Sequence, residues 1–231
     1  MKKILLFILL VTFVSKSSAQ GFLNLDFESA EIVTTGDPSF RAVFADSALY
    51  GWKAYVGGQP RSTIFFNNAS LSSAWVTLQG MTNYPYPGAY PAIQGVFFAM
   101  LFGEFNPSQG DFHTNTAAIG QHGEIPSSAR QLIYWGSLGS LIVTFNNQPL
   151  NFIQTGSTTN YNIYAANVTP YAGQSGELLF VNYPYGGGIG GPSMIDNLQF
   201  SSAPIPEPST VALLGLGGLP LGWRRLKKSS A

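Results

Sequence analysis

The sequence predicts an all-β protein with the architecture of a β-sandwich. Short runs of β-branched and aromatic residues are separated by turn signals along most of the chain, which is typical of strands. Glycine and proline are abundant, at 26 and 15 of 231 residues, and both favour the tight turns that join short strands. No segment shows the 3.6-residue apolar periodicity of an amphipathic helix. A parallel α/β sheet would need such helices between its strands, so a sandwich is favoured.

The strand candidates are spread over the whole body of the chain. Leu141, Val143 and Phe145 occupy alternate positions of one run, so they should share the buried face of a strand. An Asn-Asn-Gln-Pro turn follows at 146–149. The predicted strands are 21–28, 52–56, 63–66, 74–78 and 95–102 in the first half, and 141–145, 150–153, 177–183 and 193–200 in the second half.

The N-terminal segment, 1–19, has the pattern of a secretory signal peptide. Two lysines follow the first methionine, and an apolar run comes next that is too short to span a bilayer comfortably. Small residues precede the expected cleavage point, so we expect signal peptidase to cut between Ala19 and Gln20. A buried core strand is the alternative interpretation, and the lysines at the start of the chain disfavour it.

The C-terminal segment, 204–231, combines three features in a fixed order. An acidic residue between two prolines comes first, a 13-residue apolar run follows, and a basic cluster comes last. As a helix the run would reach roughly 20 Å, against a hydrocarbon core of about 30 Å. We therefore expect a short apolar helix whose membrane contact is more transient than permanent, with a plain tail anchor as the alternative. The residues that define the pattern are Pro206, Glu207, Pro208, Arg224 and Arg225.

This order of features resembles the PEP-CTERM sorting signal of Gram-negative bacteria. In that family an exosortase, which is a membrane transpeptidase, recognises the Pro-Glu-Pro motif and processes the tail. The resemblance implies export through the inner membrane and a destination at the cell surface or outside the cell. It also implies an exosortase as a partner, with the tail inserted in the membrane at least during processing.

The body, 20–203, is sparsely charged and acidic. It holds ten acidic and four basic residues, a net charge of −6. Charged residues make up 10% of the chain, well below the roughly 25% usual for soluble domains. An acidic body without a basic patch argues against nucleic acid as a partner. The chain has no cysteine, so disulfides do not stabilise it.

Three short segments of the body resemble a galactose-binding-like jelly-roll domain. "NLDFESAE" (24–31) and the Gly51-Trp52 pair resemble the opening of such domains, and "SMIDNLQF" (193–200) resembles their last strand. The resemblance implies a single jelly roll over 20–203. It also implies a structural calcium ion where the first and last strands meet, with Glu28 and Asp196 as the matching carboxylates. Few charged ligands would suffice, because calcium takes many of its oxygens from backbone carbonyls. The alternative is that both are ordinary strand-end carboxylates.

No catalytic residues are predicted. His113 and His122 stand near carboxylates, but no nucleophile has a recognisable sequence context. Two separated histidines without cysteine do not make a zinc site. A glycoside hydrolase would need a close pair of carboxylates, and nothing in the sequence pairs the candidates, which are Glu104, Asp111, Glu124 and Glu177.

The sharpest ligand hypothesis concerns tyrosines in loops rich in proline and glycine. Flat rings on rigid loops are suited to stacking on sugars, while the alternative is that some of them cover the edges of the sandwich. We therefore expect an exported, non-catalytic surface or matrix protein that binds polysaccharide. The rival functions are a structural surface protein with no ligand and a secreted polysaccharide hydrolase with an unrecognised site. The tyrosines are Tyr84, Tyr86, Tyr90, Tyr183 and Tyr185.

Overall fold

The fold is a sandwich of two β-sheets, described here from a computed structural model. The structure describes residues 21–36, 40–69, 73–80, 93–104, 115–137, 139–183 and 191–205. The predicted signal peptide and almost all of the sorting tail, with its expected apolar helix, lie outside these residues. Within them, no helix is long and apolar enough to cross a membrane. The α-helix α1, Ala45–Ala48, has one turn, and a 3-10 helix spans Thr169–Tyr171.

The larger sheet has eight strands in the order β1-β4-β5-β6-β14-β8-β12-β11. Its neighbours are antiparallel except for β4 and β5, which are parallel. The last of the described strands, β14, therefore lies in the middle of this sheet. The strands are β1 (Ala42–Phe44), β4 (Thr63–Phe66), β5 (Trp75–Gly80), β6 (Phe97–Phe102), β8 (Gln131–Gly136), β11 (Ile153–Ser157), β12 (Asn162–Asn167) and β14 (Ser193–Ser201).

The smaller sheet has six strands, all antiparallel, in the order β10-β9-β13-β7-β2-β3. From β7 onward the chain passes repeatedly between the two sheets, as a jelly-roll-like body requires. The strands are β2 (Lys53–Val56), β3 (Gln59–Arg61), β7 (Ala117–Glu124), β9 (Leu141–Phe145), β10 (Gln148–Pro149) and β13 (Ser175–Asn182).

The core lies between the two sheets and is rich in aromatic side chains. Trp52 packs against Phe27 and Phe180, with ring centroids 5.7 and 6.1 Å apart. Tyr134 stacks on Tyr164, with ring centroids 5.1 Å apart. Full burial of each large apolar side chain contributes roughly 2–3 kcal/mol. The aromatic-rich sequence therefore supplies a core without disulfides.

The predicted all-β sandwich is confirmed, and most predicted strands are found. In β9, Leu141, Val143 and Phe145 are buried while Ile142 is 47% exposed, as their alternation indicates. The prediction for 150–153 is largely wrong, because β10 ends before it and β11 begins at its last residue.

The predicted first strand, 21–28, is also wrong. Gly21 makes one isolated bridge to Glu124, and the chain then turns. Asn24 and Phe27 have φ values of 47° and 59°, and such left-handed conformations are incompatible with a continuous strand. The turn is held by the Phe27 amide, which donates to the Asn24 carbonyl at 3.3 Å.

Both termini of the sandwich emerge at one end of it, which we name the terminal end. The strand registers place Glu124 and Ser175 at this end, together with Gln131 and its partner Ser201. Phe22 stacks on Phe200 there, with ring centroids 5.5 Å apart. The turn at 57–58, between β2 and β3, lies at the opposite end, because Val56 pairs with the far end of β7.

Candidate calcium site

The first wall of the candidate site is the turn that replaces the predicted first strand. The Asn24 side chain accepts the Ser29 amide at 2.9 Å, and the Asn24 carbonyl accepts the Trp52 indole N–H at 3.1 Å. Phe27 is fully buried and fixes the turn on the core. Asp26 is therefore exposed and Glu28 half-buried, next to each other on the outside of the turn.

The second wall is the segment that leads into β6. The amides of Val96 and Phe97 both donate to Glu28 Oε1, at 2.7 and 2.9 Å. Gly95 sits directly beside this carboxylate, with φ of 58°, and a Cβ there would collide with it. The glycine therefore allows the segment to approach the carboxylate closely.

The third wall is a bulge in β14. The register shifts between Asp196 and Gln199, and Asn197 has φ of 46°. Beyond the bulge, the Leu198 amide donates to the Leu25 carbonyl at 2.8 Å, which ties the last strand to the first turn. The bulge leaves the Asp196 carboxylate fully buried, where it accepts the Gln94 amide at 2.9 Å and the Asn197 amide at 2.6 Å.

Burial raises the pKa of Asp196 to about 8, and this is the largest influence on it. The two amide hydrogen bonds act in the opposite direction, while the negative charges of Glu28 and Asp26 raise the pKa further. A buried carboxylate that is repelled by two others is poorly stabilised as an anion. A bound cation would remove that cost, because it attracts all three charges.

The residues present fit a hard cation that binds oxygen. Among the buried polar side-chain atoms of the described residues, Gln94 Oε1 has no hydrogen-bond partner, and its own backbone amide binds Asp196. A buried amide oxygen without a partner, on the residue whose backbone binds Asp196, is an oxygen ligand of the kind that calcium takes. In the described part of the chain, no three acidic, histidine or cysteine side chains come together closely enough to hold a metal by themselves. Amide and backbone oxygens would therefore have to complete the ligand set.

The structure brings Glu28 and Asp196 into one neighbourhood by a route that the sequence did not predict. The expected meeting of a first strand with the last strand does not occur, because residues 21–28 form a turn. Instead, the segment 94–97 binds both, through the amides of Gln94, Val96 and Phe97. Sequence reasoning missed Gln94 altogether. Its only signal was the short polar stretch before an apolar strand.

Of the five loop tyrosines, only Tyr183 lies in the described residues. It is half-buried just after β13, and its amide donates to the Ser140 carbonyl at 3.1 Å. Tyr84, Tyr86, Tyr90 and Tyr185 lie outside the described residues, so the polysaccharide hypothesis stays a prediction.

The residues considered for catalysis are placed as follows. His122 is exposed on β7 and lies opposite Glu177 of β13. Glu124 is half-buried at the terminal end, and Glu104 follows β6. Asp111 and His113 lie outside the described residues.

The sorting motif Pro206-Glu207-Pro208 and the pair Arg224-Arg225 lie outside the described residues, as do Ala19 and Gln20. Comparison with protein families nevertheless identifies residues 204–226 as a PEP-CTERM protein-sorting motif. This match agrees with the resemblance in the sequence. A comparison with curated proteins found no match.

Solved structures with related architecture are distant. An apo form cyclase from Fischerella sp. is 12% identical, with a TM-score of 0.39, and the match covers 78% of this chain and 93% of that one. The enzymatically active domain of tailspike protein 4 from bacteriophage CBA120 is 15% identical, with a TM-score of 0.35 over 71% of this chain and 22% of that one.

Proposed function

We propose that this chain, which carries a PEP-CTERM sorting motif at residues 204–226, is a non-catalytic component of the cell surface or extracellular matrix. The motif carries the proposal, because it indicates export and processing by an exosortase-type membrane enzyme. The body that the motif would direct to the cell surface or matrix is a compact β-sandwich with few charged residues and a net negative charge.

The sorting proposal is tested in a Gram-negative host that encodes an exosortase. We expect mass spectrometry of the mature protein to find a C-terminus from which the tail has been removed. Replacing the motif by P206A, E207A and P208A together should leave the tail in place. If the protein without substitutions keeps its full tail after maturation, the proposal is overturned.

We propose further that Glu28 and Asp196, with Gln94 Oε1 and backbone oxygens, hold a structural calcium ion. The buried and repelled Asp196 carboxylate and the orphaned amide oxygen support this assignment. The ion would supply positive charge where the first turn, the segment 94–97 and the last strand meet. It would thus hold the two termini of the sandwich together.

Calcium should raise the melting temperature of the purified body. At a calcium concentration 100 times the Kd, the stabilisation is about 2.7 kcal/mol, or about 5–10 °C for a chain of this size. Asp196→Asn should abolish the rise, because it removes the buried charge that the ion neutralises. Asp46→Asn, which alters an exposed carboxylate of α1, is the matched control. A melting temperature that is the same with calcium and with chelator would refute the site.

We also propose polysaccharide as the ligand of the loop tyrosines. Stacking of aromatic rings on sugar faces is the supporting chemistry, since each ring that is covered removes a large apolar area from water. Tyr86→Ala with Tyr185→Ala should weaken binding on a polysaccharide array by 10-fold or more. Tyr50→Ala, at a tyrosine that is 53% exposed elsewhere on the body, should bind normally.

The same array separates the rival functions. A purified body that binds no polysaccharide would favour a structural role without a ligand. Release of sugar products, lost when one carboxylate is replaced, would favour a hydrolase.

A further inference from the structure

The chain leaves the sandwich at the terminal end, where its entry and exit are side by side. Gly21 bridges Glu124, Ser201 pairs with Gln131, and the rings of Phe22 and Phe200 stack at this end. The Arg130 amide also donates to the Ser201 carbonyl at 2.8 Å. The last residues of β14 are therefore fixed in position, and the tail starts from a defined point.

Very little chain separates that point from the sorting motif. β14 ends at Ser201 and the motif begins at Pro206, so five Cα steps join them. Fully extended, these steps span at most about 18 Å. The Ala203 amide donates to Ser201 Oγ at 3.1 Å, which bends the start of the connection and shortens its reach.

We propose that the terminal end of the sandwich is the surface that faces the exosortase-type enzyme while it processes the tail. This inference rests on the proposed sorting function. An 18 Å connection is shorter than the roughly 30 Å diameter of a small domain. The enzyme must therefore come close to the terminal end when it binds the Pro-Glu-Pro motif.

The described surface at the terminal end is suited to close approach. The turn at 125–130 is held by the Ala129 amide, which donates to the Pro126 carbonyl at 2.8 Å. The turn after the 3-10 helix is held against it, because the Gly173 amide donates to the Ile125 carbonyl at 2.8 Å. Both turns are short and tied to the sheets, so a second protein would meet a preformed and compact surface.

The charge of this surface is also low. Ser127 and Ser128 are exposed at the tip of the first turn, and Thr169 and Pro170 are exposed in the 3-10 helix. Arg130 is the exposed charged residue of these two described turns. Glu124 lies half-buried just before the first turn, so this end carries one acidic residue beside Arg130, and the two turns themselves carry little charge.

The proposal predicts that added bulk blocks processing at one end of the sandwich and not at the other. A small, independently folding domain is inserted between Ser127 and Ser128, and in the matched control between Gly57 and Gly58 at the opposite end. Removal of the tail, measured in an exosortase-bearing host by mass spectrometry, should fall at least 10-fold in the first variant. It should be unchanged in the control.

Lengthening the connection should rescue the blocked variant. A 20-residue Gly-Ser linker between Ala203 and Pro204 has a mean span of about 25 Å, which gives the enzyme room beside the inserted domain. Equal processing of the two insertion variants, or no rescue by the linker, would overturn the proposal.

A second variant leaves the sandwich unaltered and avoids any folding defect of the insertion. Deleting Ser202 and Ala203, which leaves the matched motif at 204–226 intact, brings the motif against the terminal end and should reduce processing, while adding two residues at the same point should not. Normal processing of the deletion variant would overturn the proposal. Failure of the unaltered chain to be processed would instead refute the sorting function on which the proposal rests.

Discussion

At the scale of single residues, Asp196 is unusual because it is a fully buried carboxylate with a raised pKa. Its carboxylate is fully buried by a strand bulge, bound by two backbone amides, and repelled by Glu28 and Asp26. The sequence predicted Asp196 and Glu28 as a pair from a resemblance at both ends of the body. It could not predict Gln94 or Gly95, because their role depends on a contact between distant segments.

The raised pKa of Asp196 makes the metal-free protein sensitive to pH. The folded state keeps this proton up to about pH 8, whereas the unfolded chain loses it near pH 3.8. The folded state therefore binds more protons between these values, and the free energy of unfolding should fall as pH rises from 4 to 8. One pKa unit corresponds to about 1.4 kcal/mol, so the loss should reach a few kcal/mol. Urea unfolding in chelator at several pH values measures it.

The Asp196→Asn variant supplies the control for this pH dependence. Its free energy of unfolding should decline much less over the same range, because the amide does not titrate. A decline equal to that of the unaltered protein would assign the effect to other groups.

At the scale of elements, alternation of apolar residues predicted strands well where one face is buried and the other exposed. β9 is the clearest case, with Ile142 exposed between buried neighbours. β7 was not predicted as a strand, because its run of alanine, glycine and polar residues has little β-propensity. It is a strand because β13 and β2 pair with it on both sides. The turn at 21–28 was mistaken for a strand because its apolar residues anchor it to the core instead of alternating across a sheet.

The junction of β8 and β14 depends on a glycine. Gly136 is the last residue of β8 and has φ of 154°. A Cβ added to it would lie 2.7 Å from the carbonyl carbon of Met194 and would therefore collide with that group. Gly136→Ala should therefore destabilise the protein by about 2–4 kcal/mol, since backbone must shift in the centre of the larger sheet. Gly191→Ala, where an added Cβ meets nothing within 4 Å, should change stability by less than about 0.5 kcal/mol. Thermal unfolding of both variants measures the difference, and equal melting temperatures would contradict the role given to Gly136.

At the scale of the whole molecule, the position of β14 makes the body depend on its last strand. β14 pairs with β6 on one side and β8 on the other, so it joins the two halves of the larger sheet. It also supplies Asp196 and the Phe200 ring that stacks on Phe22. The two ends of the described body therefore meet in space, which explains why resemblances at both ends point to one place in the fold.

Two truncations test this dependence. A chain that stops after Ile205 keeps every described strand, so it should melt cooperatively and resist proteolysis. A chain that stops after Pro192 lacks β14 and exposes the inner edges of β6 and β8, so it should lose its cooperative melting. A cooperative transition in the shorter chain would show that the two halves of the larger sheet hold without β14.

The central position of β14 also sets the order of events during export. If the exported polypeptide crosses the membrane from its N-terminus as an extended chain, β14 is the last of the described strands to emerge. Until residues 193–201 have passed through, the edges of β6 and β8 that pair with β14 stay unpaired. At that moment five Cα steps separate the end of the emerging strand from the Pro-Glu-Pro motif. In this order of events the larger sheet closes only when the sorting motif has almost followed it, so one short stretch of chain both completes the fold and carries the signal.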